Sequence, residues 1–486
     1  MNARFPHLYQ ELAGRLAEAI QAGSLKAGDR LPSVRQLSTQ HQVSISTAMQ
    51  AYRWLENQRL IEARPKSGYF VLAQRRMAEP ALSSPPSKPA FVGISGLVME
   101  YLACSERPEV APLGCATPSD ALYPGERMAR LIAGAARRRP GLISHYGMSM
   151  GHPALCAAIA RRGVEFGCSL TPEEIVVTNG CTEALNLALR AVAGPGDTIA
   201  IESPTYFTLL QLIENLGMRA LEIPTHPRDG ISLEALDLAT RVPGQVKAVM
   251  LIPNFSNPLG SLMPDAKKES VVRMLEQRGI PLIEDDIYGE LYFGDARPFV
   301  AKAWDRSGNV LLCGSFTKNL APGLRIGWIA PGRFRERVEM LKFMTSITTP
   351  ELPQVAIAAF IGNGGYDHHL RKLRAAFAQQ VRRTADAVVE HFPAGCRITA
   401  PQGGFVLWVE LPEAVDAVAL FRAAREQDIA LAPGPMFTSS GRYANFVRLN
   451  CGHPWSSRLE LALARVGDLV TRLADCAGEP AMSRMA

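Results

Sequence analysis

Leu8, Leu12, Leu16 and Ile20 recur every four residues, the spacing of an amphipathic helix that Gly23 closes. After the turn AGDRLP, Ser33 stands where it can cap a second helix, with Gln36 completing a capping box. Ser44 can cap a third helix whose apolar face runs through Ala48, Ala51, Tyr52 and Leu55. Two short extended pieces, Leu60–Ala63 and Tyr69–Leu72, flank the turn RPKSG. This order predicts a winged helix–turn–helix over residues 1–72, mainly α with a small β wing.

Residues 73–90 (AQRRMAEPALSSPPSKPA) lack apolar periodicity and hold four prolines and three serines, so a flexible linker is expected there. Fully extended as polyproline II it would span roughly 55 Å, enough to reach a partner subunit. Beyond it, short apolar runs alternate with helical patterns. Strands are expected at Ile175–Thr178, Thr198–Ile201, Val246–Ile252, Pro281–Ile283, Val310–Cys313 and Arg325–Ile329. Such βα alternation implies a large, mostly parallel sheet wrapped by helices. From about Gly332 the pattern changes to long helices, then strands near Arg397–Thr399, Gly404–Glu410 and Phe446–Leu449, and a last helix from Arg458. A smaller α/β unit over roughly 332–480 is therefore expected within a domain spanning 91–480, followed by a disordered tail at 481–486.

Charge sharpens this division. Residues 1–75 hold ten Lys/Arg against five Asp/Glu, while the rest of the 486-residue chain is nearly balanced. Almost all of the +6 net charge thus falls in the head, as a module that meets nucleic acid requires. No apolar run approaches the eighteen or so residues a membrane helix needs, and the N-terminus has no signal-like apolar stretch. A cytoplasmic protein with no membrane partner is the expectation. The nine cysteines are scattered without a C-x-x-C pair, which fits reduced thiols and no metal site.

Several polar residues fall just past the carboxyl ends of the expected strands, where open α/β sheets place their ligands. They are Asn257 in PNFSNPLG, Asp285 after PLIE, Ser315, Thr317 and Lys318 after VLLC, and Gly180, Cys181 and Thr182 at the start of a helix. One cofactor, pyridoxal 5′-phosphate, would use them all. Lys318 would form an imine with it and Asp285 would face its ring nitrogen. Asn257 and Tyr288 would hydrogen-bond its phenolic oxygen, and Tyr206 would stack on the ring. Arg325, Ser315, Thr317 and the amides of Gly180–Thr182 would hold its phosphate.

NPLG, EDDIYGEL and SFTKNLAPGLRIGW together resemble the fold-type I aminotransferases from about Phe91 to Leu473. The resemblance adds two roles. Tyr146, in YGMSMG, would contact the phosphate of the neighbouring subunit, and Arg448, in NFVRLN, would clamp a ligand carboxylate. The family pattern Asp-x-x-Tyr also selects Asp285 over Asp286. In the head, GDRLPSVRQL, VSISTAMQAYRWLE and SGYFV resemble GntR-type winged helices. The whole chain is similar to the MocR subfamily of transcriptional regulators, and most like its YdcR-type members. That resemblance implies DNA contacts from Arg35, Ser44, Ser46 and Thr47, and from Lys66 and Gly68 at the wing tip.

Two departures stand out. Ile45 follows the cap of the recognition helix where many members carry arginine, with Met49 one turn later, and Cys156 replaces an arginine common in aminotransferases. The implied function is a homodimeric, pyridoxal-phosphate-dependent regulator that binds an operator and senses a small amine or amino acid through the imine at Lys318. The alternative is a working aminotransferase tethered to DNA by its head.

Overall fold

A computed structural model describes residues 8–58, 60–64, 67–72, 77–84, 86, 88–105 and 109–478. Lys66 and the expected tail over 481–486 lie outside the described residues. The chain divides into two compact units, Met1–Arg76 and Met77–Ala486.

In the first unit, α1 (Leu8–Gln21), α2 (Val34–Gln40) and α3 (Ile45–Asn57) precede a hairpin of β1 (Ile61–Arg64) and β2 (Gly68–Val71). The capping signals act as expected. Ser33 Oγ accepts from Gln36 N while the Gln36 side chain accepts from Ser33 N, and Ser44 Oγ accepts from Thr47 N. Leu12, Ala13, Leu37, Ala48, Ala51, Tyr52, Leu55 and Ile61 close a small core.

The second unit is built on a large sheet of β3 (Val176–Thr178), β4 (Thr198–Ser203), β5 (Arg219–His226), β6 (Gly230–Ile231), β7 (Ala248–Leu251), β8 (Leu282–Asp285), β9 (Val310–Ser315) and β10 (Gly327–Ala330). Their spatial order is β3-β10-β9-β8-β7-β4-β5-β6. The central run β9-β8-β7-β4-β5 is parallel, whereas β10 runs antiparallel to both neighbours. Ile199, Ile201, Met250, Ile283 and Leu311 fill one face, and Ala200, Val249, Leu251, Leu282 and Val310 the other. Burial on both faces explains the unbroken apolar runs that mark these strands. Two strands lie beyond those expected: β5 carries Pro224, which disguises it, and β6 is only two residues long.

A second sheet, β11 (Arg397–Ile398), β12 (Val406–Glu410), β13 (Ala432–Pro433) and β14 (Phe446–Asn450), is antiparallel throughout, in the order β11-β12-β14-β13. The helices Gly365–His391 and Ser457–Gly478 pack with it.

The expected free linker needs correction. From Met77 onward the Pro/Ser-rich segment is a strap laid on the second unit. Ile398 N donates to Ala78 O, Glu79 pairs with Arg228, and Ser83 exchanges hydrogen bonds with Thr225. Ala90 pairs with Ala220 beside β5. Backbone groups of Ala78, Ser83 and Ala90 thus bond to strands of both sheets, which composition alone does not reveal.

Candidate functional site

Asp285 is the last residue of β8, and Ser315 the last of β9, so the turns after these parallel strands deliver their side chains to one end of the sheet. Asp285 is buried, with Oδ1 accepting from Ile287 N at 3.1 Å and from Cys181 Sγ at 3.4 Å. Burial pushes its carboxyl up to about 7. Asp286 turns elsewhere, ion-paired to Arg297 and accepting from Asn254 Nδ2 at 2.8 Å. That pairing leaves Asp285 as the acid whose charge still lacks a cationic partner at hydrogen-bond distance among the described residues.

Lys318 Nζ donates to the carbonyl of Ala116 at 2.7 Å. The side chain is only partly covered, yet burial draws its ammonium down to about 8, with Arg448 and Arg325 pushing the same way. Tyr123 OH reaches the carbonyls of Thr317 and Lys318 at 3.4 and 3.3 Å, which fixes the turn that carries the amine.

The cradle forms where the helix Cys181–Val192 begins. Gly180, at φ +84°, caps that helix, and a Cβ there would fall 2.3 Å from the Arg325 guanidinium. Glycine is what lets the cation lie against the free amides of the first turn. Arg325 itself, at φ +52°, donates to Thr317 Oγ1 at 3.4 Å, and Ser315 Oγ lies 2.8 Å from Thr317 Oγ1. No described acid pairs with Arg325. A phosphate therefore fits the cradle, since the helix terminus and the guanidinium both call for an anion.

Asn257 Nδ2 donates to Tyr288 OH at 3.2 Å, and Asn257 Oδ1 accepts from Arg448 Nη1 at 3.0 Å. Arg448 is fully buried; its Nη2 donates to Gly114 O and to Tyr101 OH, its Nε has no acceptor, and no described carboxylate pairs with it. Burial of an uncompensated guanidinium is costly, and a ligand carboxylate would relieve that cost. Tyr206 lies beside Phe207, whose ring stands edge-on to Phe437, and Phe437 in turn lies under the Arg448 guanidinium. Tyr146 is 75% exposed and joins none of these described contacts.

The structure also brings in residues that no motif marked. Gly114, Cys115 and Ala116 border Lys318 and Arg448 through backbone carbonyls and a thiol, and Tyr101 and Tyr123 come from helical or turn positions without periodic signal. The Pro/Gly setting of PLGCATPSDALYP was the only available hint. Cys156 is buried among Leu155, Ile159 and Val177 and behaves as a core residue, its thiol pushed up by burial to about 11.

In the head, Ser44 Oγ lies 2.7 Å from Ser46 Oγ and 2.8 Å from Thr47 Oγ1, so these hydroxyls cluster at the start of α3. Arg35 is exposed without an ion pair among the described residues, and Gly68 (φ +103°) opens β2 at the wing.

Comparisons agree with this division. The gntR family of bacterial regulatory proteins matches residues 8–71, and the class I and II aminotransferases match residues 123–466. The HTH-type transcriptional regulators YjiR and YdcR of Escherichia coli K12 are each 39% identical, over 96% and 95% of this chain and 99% and 98% of theirs. LysN, an α-aminoadipate aminotransferase of Thermus thermophilus solved with N-(5′-phosphopyridoxyl)-L-leucine, superposes with a TM-score of 0.72 at 27% identity. The match covers 78% of this chain and 95% of LysN. Among the described residues no helix is long and apolar enough to cross a membrane, and no metal-binding cluster is present.

Proposed function

Because the chain belongs to the class I and II aminotransferases and, with its gntR-type head, to the MocR-type regulators, we propose that it is a pyridoxal-phosphate-dependent transcriptional regulator that couples a small amino acid to operator binding. The observation that carries the reading is Arg448, fully buried without a carboxylate partner in the same chamber as the low-pKa amine of Lys318. Together they suit a ligand bearing both an amine and a carboxylate.

Bound pyridoxal 5′-phosphate would supply an aldehyde that condenses reversibly with amines and a ring that withdraws electrons. Lys318 would hold it covalently, and its burial keeps a useful fraction of the amine neutral and nucleophilic near neutral pH. Asp285 would keep the ring nitrogen protonated, Cys181 and Ile287 N fixing the orientation of the carboxylate. Asn257 and Tyr288 would face the phenolic oxygen, Tyr206 the ring, and Gly180, Cys181, Thr182, Ser315, Thr317 and Arg325 the phosphate. Arg448 would orient the ligand so that its amine faces the aldehyde carbon of the cofactor held at Lys318. A homodimer, with Tyr146 completing the partner's phosphate site, suits both this cradle and the paired half-sites that winged heads read.

The test is a screen of amino acids for a change in the cofactor absorption band, each hit then assayed for its effect on operator affinity. Lys318→Ala should remove label trapped by borohydride at this position and the ligand response, while operator binding stays within about twofold of wild type. A ligand response that survives in Lys318→Ala would defeat the reading. Sustained release of keto acid at ordinary enzyme rates would favour a tethered aminotransferase instead.

A further inference from the structure

The packing of α3 fixes which of its side chains face outward. Ala48, Ala51, Tyr52 and Leu55 are fully buried in the head, so the opposite face, at 100° per residue, carries Ile45, Ser46, Met49, Gln50 and Arg53. All five are exposed, Ile45 by 53% and Met49 by 38%. The two apolar side chains are four residues apart on adjoining turns and form one edge of this face. Its middle is polar and Arg53 is its basic end. From Arg30 to Leu55 there is not one Asp or Glu, and the one acid on either helix, Glu56 in the last turn of α3, accepts from Ala63 N of the wing, so the first turns of α3 carry nothing that repels a polyanion.

Resting on the DNA-binding role given above, we infer that Ile45 and Met49 read thymine methyl groups in the major groove, with Gln50 set to read adenine. The half-site under the first two turns of α3 is then built of A·T pairs. The thymine methyl is the one apolar feature that any base pair offers in that groove. Against guanine, the same side chains would cover the N7 and O6 acceptors without supplying a donor, which penalises G·C. Gln50 has the geometry for a bidentate contact to the adenine edge, and Arg53 and Arg35 supply charge for phosphates.

The experiment uses the full-length chain loaded with pyridoxal phosphate. Duplexes are enriched from a random pool of about 30 base pairs, long enough for two half-sites one helical turn apart. Each thymine of the enriched site is then replaced singly by deoxyuridine, which removes only the methyl group. At fixed salt, one or two replacements per half-site should weaken binding about fourfold each, the equivalent of about 0.8 kcal/mol per buried CH2. Ile45→Ala and Met49→Ala should each erase the methyl dependence at its own position and leave the salt dependence unchanged. Ile45→Arg should shift that position towards guanine. Because both side chains are exposed, these variants keep the fold, and unchanged circular dichroism checks it. Deoxyuridine without effect at every position, or enrichment of guanine there by the wild-type chain, overturns the inference. So does loss of dimerisation in Ile45→Ala with the methyl dependence intact, since the apolar edge would then belong to a second copy. Failure to enrich any duplex instead defeats the regulator reading itself.

Discussion

Burial moves the two principal ionisable groups of the chamber in opposite directions, and each displacement has a measurable sign. Lys318 sits near 8 rather than its usual 10.5, so its neutral fraction climbs steeply up to about pH 8 and then levels off. Capture of pyridoxal phosphate by the cofactor-free chain should accelerate roughly tenfold or more from pH 6.5 to 8.5 and flatten above pH 9, followed as growth of the cofactor band. A rate still climbing tenfold per unit beyond pH 9.5 would mean an ordinary lysine. Asp285 is raised from 3.8 to about 7, so the folded, cofactor-free chain keeps a proton that the unfolded chain has already released. Its burial therefore lowers stability progressively from about pH 4 to 7, and the penalty stands in full above 7. Asp285→Asn should raise the melting temperature of the cofactor-free chain at pH 8, by an effect worth at most about 4 kcal/mol, and by less than half as much at pH 5. The same variant should lose bound cofactor faster on dialysis, and equal retention would remove Asp285 from its place opposite the ring. Both residues are legible from sequence because Asp285 ends one apolar strand and Lys318 follows another by three residues, each within a dense motif. Their partners are not: the Ala116 carbonyl and the Cys181 thiol act by position, and neither residue type announces a role.

Elements with local causes were the easiest to read. Ser33 with Gln36, and Ser44 with Thr47, make the caps that their spacing implies, because a cap needs only residues three apart. Ser33→Ala should cost the head about 1 kcal/mol. In the intact chain that appears as roughly fivefold faster hydrogen exchange at the amides of α2, and unchanged exchange would show that tertiary packing alone holds this helix. Strands depend on distant partners and were read less completely. β5 hides behind Pro224, which forfeits its own amide donor, yet the strand still pairs with β4 along six residues. β10 matched a run beginning at Arg325, but its direction, antiparallel to β9 and β3, is set by the left-handed turn at Arg325 that returns the chain beside β9. The segment after residue 73 misled for a related reason. Proline and serine make it look free, whereas its stability comes from unpaired sheet edges supplied from far along the chain.

That strap gives the whole molecule a route from ligand to linker. Arg448 stacks on Phe437, whose carbonyl accepts from Thr205 N. The next residues, Thr438, Ser439 and Ser440, all bond the buried carboxylate of Glu222. Glu222 also takes a bond from Ser203 Oγ, itself 3.0 Å from Tyr443 OH, and Ser203 N donates to Thr225, whose own amide donates to Ser83 Oγ on the strap. A ligand carboxylate drawing on Arg448 would thus act on a hydrogen-bonded chain that ends in the segment leading back to the head. The strap contacts near the surface are individually weak, Glu79–Arg228 being an ion pair with a 65% exposed arginine. Removing them should spare folding and test transmission alone. In a Ser83→Ala, Glu79→Gln double variant, cofactor uptake, ligand affinity of the DNA-free protein and operator affinity of the ligand-free protein should stay within about twofold of wild type. The ligand-induced change in operator affinity should shrink severalfold, from a coupling of the usual order of 1–3 kcal/mol. Measuring ligand affinity with and without operator closes the cycle, since the coupling must be the same from either side. If the double variant retains full coupling, the strap is only a tether, and the signal reaches the head by another path.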